Sequence, residues 1–167
     1  MVSLVLTKVM KEAGLRAFIG KLSMDTSSRK SYVEPSAQAS LDSAISFVEK
    51  FYALDEARGP RLIEPILTPR FAPTCSDSLL HGLGELAAQG RNFVPLRIQS
   101  HLAESEDQVA WVKSTRHADD IDVFDKVRSL VRVKSHPSPV LGSHVTKWDS
   151  GRPLPALKCV FFVDRDL

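Results

Sequence analysis

Apolar residues at Val2, Leu6, Val9, Met10 and Ala13 recur at helical spacing and stop at Gly14, a residue suited to the left-handed turn that closes a helix. Arg16 to Met24 reads as a strand, largely apolar on both faces, as where helices cover a parallel sheet. Ser27 to Ser40 is polar, contains Pro35 and reads as a surface loop. Leu41, Ile45, Val48, Phe51 and Leu54 follow at gaps of three and four, which predicts an amphipathic helix ending near Gly59-Pro60.

A second strand spans Leu62 to Leu67 and runs into Thr68-Pro69-Arg70-Phe71; Pro65 removes a backbone donor and limits its ladder. Thr74-Cys75-Ser76-Asp77 has the form of a capping box, opening a helix that buries Leu79, Leu80, Leu83 and Leu86 and closes at Gly90. Leu96 to His101 is a third strand, and Ser105-Glu106-Asp107-Gln108 is a second capping box leading into Val109, Ala110, Trp111 and Val112. A helix followed by three strand-helix units predicts an α/β fold whose parallel sheet is built from right-handed crossovers. After Leu130 the pattern changes. Residues 131–167 hold four of the ten prolines, show no helical period and offer one possible strand, Lys158 to Val163, so a loosely ordered tail is expected there.

Composition narrows the class. A chain of 167 residues is long enough for one domain with a real core, and 43% hydrophobic with 25% charged residues is an ordinary globular balance. The net charge of +2 comes from 22 basic and 20 acidic residues with no block of like sign, which points to neither nucleic acid nor an anionic membrane. Cys75 and Cys159 form no Cys-x-x-Cys pair, so reduced thiols are expected. Lys8, Lys11 and Glu12 break the apolar opening before it reaches signal-peptide form, and no segment approaches the ~20 apolar residues of a membrane span. A cytoplasmic protein is the expectation.

In parallel α/β folds catalytic groups gather where strands end. Arg70 and Phe71 follow the second strand, and His101 and Glu104 end the third, so two adjacent strand ends would present all four to one mouth. A neutral imidazole is a common zinc ligand, and a carboxylate three positions on can serve the metal-bound water without ligating the metal. Zinc lowers the pKa of bound water from about 15.7 to about 7, which leaves Glu104 to move its proton. The plain alternative for His101 is a hydrogen-bonded structural residue. Arg70 offers a rigid fork of donors suited to a planar carbonyl-and-nitrogen edge such as that of a purine, and Phe71 a ring to stack on it. The plain alternative is a surface ion pair and a core phenylalanine.

Other titratable groups carry less. His81 lies on the polar side of its helix, His117 in a polar stretch, and His136 and His144 flank prolines at no ligand spacing. Glu85, Glu106 and Asp107 read as helix-face charges. No His-x-His occurs anywhere in the chain.

Three blocks carry a resemblance. They are Gly14 to Asp25, Ile66 to Thr74, and Gln99 to Ser105, supported by Ala110-Trp111-Val112-Lys113 and Val123-Phe124-Asp125-Lys126. In that order and spacing they resemble the guanine deaminases of the zinc-dependent amidohydrolase superfamily. The resemblance implies part of a (β/α)8 barrel, about three strand-helix units over residues 1–130, and hydrolysis of guanine to xanthine and ammonia in purine catabolism. It implies that His101 ligates zinc, that Glu104 shuttles protons, and that Arg70 and Phe71 grip the purine. The block Lys21 to Asp25 recurs in the family without an assigned chemistry.

The departures matter equally. Family members carry a His-x-His on the first barrel strand, a further His after the next strand and an Asp on the last, and this chain matches none of them. A catalytic zinc needs about three protein ligands, and only His101 is supplied. The expectation is therefore a truncated gene product or gene model, poorly zinc-binding and weakly active or inactive, with a divergent segment from Val131 onward. The alternatives are another amidohydrolase acting on an aminated heterocycle, such as a triazine or a different purine, and a non-catalytic partial barrel. Such a barrel's open edges would pair it with a complete deaminase subunit or with a second copy.

Overall fold

In the computed structural model the described residues are 2–27, 31, 33–54, 62–90, 94–133 and 159–163, with backbone alone at residues 2, 127–133 and 159–163. Helix α1 spans Val2–Glu12, strand β1 Ala17–Ser23, α2 Ala37–Leu54, β2 Ile63–Pro69, α3 Asp77–Gln89, β3 Arg97–Leu102, α4 Glu106–Arg116, α5 Asp120–Val133 and β4 Cys159–Val163. The sheet order is β1-β2-β3-β4. The first three strands are parallel, as the strand-helix alternation predicts, with Ala17 opposite Ile63 and Ile66 opposite Arg97. The possible strand at the chain's far end forms as β4, but antiparallel, with His101 opposite Val160. Residues 134–158 and 164–167, which include His136 and His144, lie outside the described residues.

Helices cover one face of the sheet. Phe47 and Phe51 of α2 meet at 6.2 Å between ring centroids, and Leu79, Leu83, Ile63, Leu67, Ile98 and Val112 complete the core around them. Burying each such side chain contributes about 1.5–3 kcal/mol. The buried stripe of α2 runs through Ser40, Ala44, Phe47, Val48 and Phe51, while Ile45 and Leu54 of the expected stripe are exposed. The cause is the neighbouring helix: Leu41 sits over Gly82 of α3, where a Cβ would overlap its methyls. The small residues Ser40 and Ala44 then turn inward.

The start of α2 also differs from expectation. Ser36 Oγ accepts from the Ala39 N–H at 3.1 Å, so the last residues of the expected loop already form the first helical turn. In α3 the cap is Ser76, which accepts from the Leu79 N–H, two residues later than the capping pattern suggests; Gly90 closes the helix at φ +53°. Ser105 caps α4 through the Gln108 N–H at 3.1 Å, as expected. His117 ends that helix in the left-handed region, and α5 follows at once, continuing to Val133.

Gly14 closes α1 at φ +69°, with the Leu15 N–H reaching back to the Met10 carbonyl. The buried face of α1 is not the expected stripe. Ser3 Oγ donates to the Gly20 carbonyl and Thr7 is buried beside Leu4 and Met10, which leaves Val5, Leu6 and Val9 exposed. One hydrogen bond to the strand thus fixes which side of α1 faces inward.

Strand β1 is likewise not covered on both faces: Phe18 is 39% and Leu22 46% exposed. No described helix is long and apolar enough to cross a membrane.

Candidate active site at the carboxyl edge of the sheet

Parallel pairing brings the ends of β1, β2 and β3 to one edge. Prolines 65 and 69 have no N–H to give to β3, and the β2–β3 pairing is correspondingly short. Beyond it the backbone stays linked, because the Arg70 N–H donates to the Ser23 carbonyl at 3.1 Å and the His101 N–H to the Arg70 carbonyl at 3.2 Å. Arg70 therefore sits between the ends of its two neighbours.

Side chains alternate along a strand, so Phe18, Gly20 and Leu22, then Glu64, Ile66, Thr68 and Arg70, then Arg97, Gln99 and His101 share the face away from the helices. Contacts bear this out. Arg97 Nη1 lies 2.5 Å from Glu64 Oε2, its guanidinium lies 4.7 Å from the Phe18 ring, and Gln99 Nε2 donates to Thr68 Oγ1 at 3.0 Å. Polar cross-strand pairs thus occupy what would otherwise be a purely apolar face, with Arg70 and His101 uppermost.

The Arg70 carbonyl also receives two side chains, Ser100 Oγ at 3.3 Å and His101 Nδ1 at 3.0 Å. A carbonyl only accepts, so the proton of a neutral His101 ring is on Nδ1 and the lone pair on Nε2. That is the state in which an imidazole can ligate a metal. The Arg70 guanidinium lies 5.1 Å from the Phe71 ring and 3.7 Å from Met24 Sδ. Phe71 is half-buried and meets Trp111 of α4 edge-on at 6.2 Å, so it is neither a plain core residue nor a free stacking platform.

Glu104 lies two residues past β3, after Ala103 at φ +46°, a conformation uncommon for a residue with a Cβ. The Glu104 N–H donates to Gln108 Oε1 at 3.3 Å. Asp120, at the start of α5, is buried behind this turn. Burial pushes its carboxyl up from the ordinary range, opposed by the Ala103 backbone and the Gln108 amide. Glu104 itself is half-buried.

The turn that carries Arg70 and Phe71 is fastened on both sides. Asp25 accepts from the Ser76 N–H at 2.7 Å and from Ser76 Oγ at 2.5 Å, and the Thr74 carbonyl accepts from the N–H groups of Asp25 and Thr26. Arg116 reaches across from α4 to the Ala72 carbonyl at 3.2 Å, the Cys75 carbonyl and Asp77. Asp25 thereby gains a structural role that its sequence block did not reveal. Nothing in the sequence marks Arg116, Trp111 and Met24 as site residues, since their partners lie about 40 or more positions away in the chain.

His81 and His117 are exposed, the former 3.9 Å from Glu85, as their polar surroundings suggest. A cavity of about 460 Å³ opens at the end of β1, bounded by Lys21, Leu22, Met24, Ser31, Val33, Glu34 and Arg70; Phe71, His101 and Glu104 do not line it. Among the described residues no group of three or more His, Cys, Asp or Glu side chains is placed to hold a metal ion. His101 therefore offers one ligand, short of the about three that a catalytic zinc requires.

No family model matches the chain. Individual proteins do. The chain is 42% identical over 110 residues to guanine deaminase of Dictyostelium discoideum, covering 66% of this chain and 22% of that protein. It is 35% identical over 130 residues to a probable guanine deaminase of Schizosaccharomyces pombe, covering 77% and 24%. The crystal structure of a guanine deaminase from C. acetobutylicum with guanine bound in its active site superposes with a TM-score of 0.64 at 32% identity, over 75% of this chain and 28% of that one. The chain spans about a quarter of the length of these relatives. By sequence and by fold alike, this chain is related to the guanine deaminases over most of its own length and matches one part of such a protein.

Proposed function

We propose that the chain carries the purine-gripping and proton-transferring part of a guanine deaminase-type aminohydrolase, which converts guanine and water to xanthine and ammonia. The observation that carries this reading is the meeting of Arg70 and His101 at adjacent parallel strand ends, with the Arg70 carbonyl holding the imidazole at Nδ1. The similarity to the guanine deaminase structure from C. acetobutylicum supports it. The sheet would then be about three strand-helix units of a (β/α)8 barrel, with its open face as the barrel interior.

In this reading the guanidinium of Arg70 donates to the O6 and N7 edge of the base, and the Phe71 ring, 5.1 Å from that guanidinium, helps to hold it in place. Glu104 takes a proton from the attacking water and returns it to the departing amine. Zinc is the metal proposed for His101. The described residues do not fit a complete zinc site.

The test is binding and turnover on the chain itself. Guanine should bind, Arg70→Ala should weaken it about ten- to a hundredfold, and ammonia release should be slight. In any preparation that does release ammonia, Glu104→Gln should remove most of the rate. Unchanged binding in Arg70→Ala would sink the assignment of the purine grip. A second reading, a partial barrel that pairs with a complete deaminase subunit, is favoured by the exposed Phe18 and Leu22 on the open face. Co-purification with such a subunit, lost in a Leu22→Asp variant, would support it.

A further inference from the structure

Trp111 is a large aromatic side chain that the core does not need. It is 46% exposed, while its neighbour Val112, fully buried, seats α4 against the core. The indole is nonetheless engaged, meeting Phe71 edge-on at 6.2 Å with the two planes at 72°. In that arrangement the positive edge of one ring meets the negative face of the other. The spacing between α4 and the turn is fixed separately, by the hydrogen bonds of Arg116 to the Ala72 and Cys75 carbonyls. What Trp111 adds is the placement of the Phe71 ring.

That ring lies 5.1 Å from the Arg70 guanidinium, which also meets Met24 Sδ at 3.7 Å. Neither contact is an anion, so neither competes with a ligand for the charge of the guanidinium. In the cavity beside it, Lys21 is engaged by Glu34 in an ion pair with side chains 16% and 23% exposed, which leaves Arg70 to meet a ligand there. A long, rotamer-rich side chain loses freedom when it grips a base. A guanidinium already resting on a fixed ring has lost much of that freedom beforehand, so binding costs less in ordering.

We infer that Trp111 is a positioning residue that sets the Phe71 ring, and through it the Arg70 guanidinium, for the bound base. The inference rests on the purine reading of Arg70. Trp111 does not line the cavity beside Arg70, so its effect on a ligand there travels through Phe71 and Arg70. The order of contacts is indole, phenyl ring, guanidinium, base, and removing the guanidinium must silence the indole.

A double-mutant cycle on the full chain, read as guanine affinity by equilibrium dialysis, tests this. Trp111→Leu should weaken guanine binding about three- to tenfold, the scale of a lost ring-ring contact and a loosened cation-ring contact. Trp111→Phe, which keeps an aromatic edge, should retain most of the affinity. In an Arg70→Ala background, Trp111→Leu should change the affinity less than about twofold. A side chain that merely supported the fold would weaken binding equally in both backgrounds, and that result would overturn the inference, as would unchanged affinity in Trp111→Leu alone; either would leave the purine grip standing. Trp111→Met supplies the same comparison should the leucine variant not fold. Failure of the unaltered chain to bind guanine would overturn the purine reading and this inference with it.

Discussion

Nδ1 of His101 lies 3.0 Å from the carbonyl oxygen of Arg70, the same oxygen that accepts the His101 main-chain N–H. One backbone carbonyl thus sets both the strand end and the orientation of the ring. Nitrogen NMR at pH 8 should show a protonated Nδ1 and an unprotonated Nε2 for His101. The opposite tautomer would remove the ring from consideration as a metal ligand through Nε2.

The close pairing of β1 with β2 depends on Gly20, which stands opposite Ile66. A Cβ there would overlap Thr68 Oγ1 and the Ile66 carbonyl, and the latter is backbone that cannot swing aside. Gly20→Ala should cost about 3 kcal/mol in denaturant unfolding, the upper range for forcing a group into a filled space. A loss below about 0.5 kcal/mol would show that the strands separate more easily than the packing implies.

Much of this architecture is legible in the chain, because apolar runs bounded by turn residues mark β1, β2 and β3, the capping pattern at Ser105 marks α4, and the pattern at Thr74 marks α3 to within two residues of its cap at Ser76. The faces are harder to read. Periodicity cannot tell that Leu41 is needed over Gly82, or that Ser3 and Thr7 dock α1 while Leu6 and Val9 stay outside. The short link at His117 and the start of α5 carry no such signal, because the left-handed residue there is not a glycine. Of the site, Arg70, Phe71, His101 and Glu104 stand out by block and spacing. Lys21 with Glu34, Arg116 with the turn at Ala72, and Asp120 behind Ala103 are made by tertiary folding alone.

Arg116 fastens the turn after Arg70 through two carbonyls and Asp77 while remaining 17% exposed. Arg116→Ala should lower stability by about 2–3 kcal/mol, and Arg116→Lys should recover only part, since an ammonium lacks the fork that spans three acceptors. Full recovery by lysine would mean that charge alone matters at this position.

Burial pushes the Cys75 thiol up from 9.0 to about 11, and Cys75 Sγ donates to the Ser23 carbonyl at 3.4 Å. The folded chain therefore holds this proton more tightly than the unfolded chain does. Stability should be independent of this group below pH 9 and fall by about 1.4 kcal/mol per unit from pH 9 to 11, as the unfolded thiol ionises first. In a Cys159→Ser background, alkylation at neutral pH should proceed only through unfolding. The fall should be absent in Cys75→Ala, and its persistence there would assign it to another group.

The central claim is that guanine is held at the carboxyl edge of the sheet beside Arg70. Amide and methyl chemical-shift mapping during a guanine titration tests it most directly. The account predicts that shifts concentrate at Leu22, Met24, Glu34, Arg70, Phe71 and His101 and vanish in Arg70→Ala. Shifts confined to the helical face, or none at concentrations up to the solubility of guanine, would contradict it.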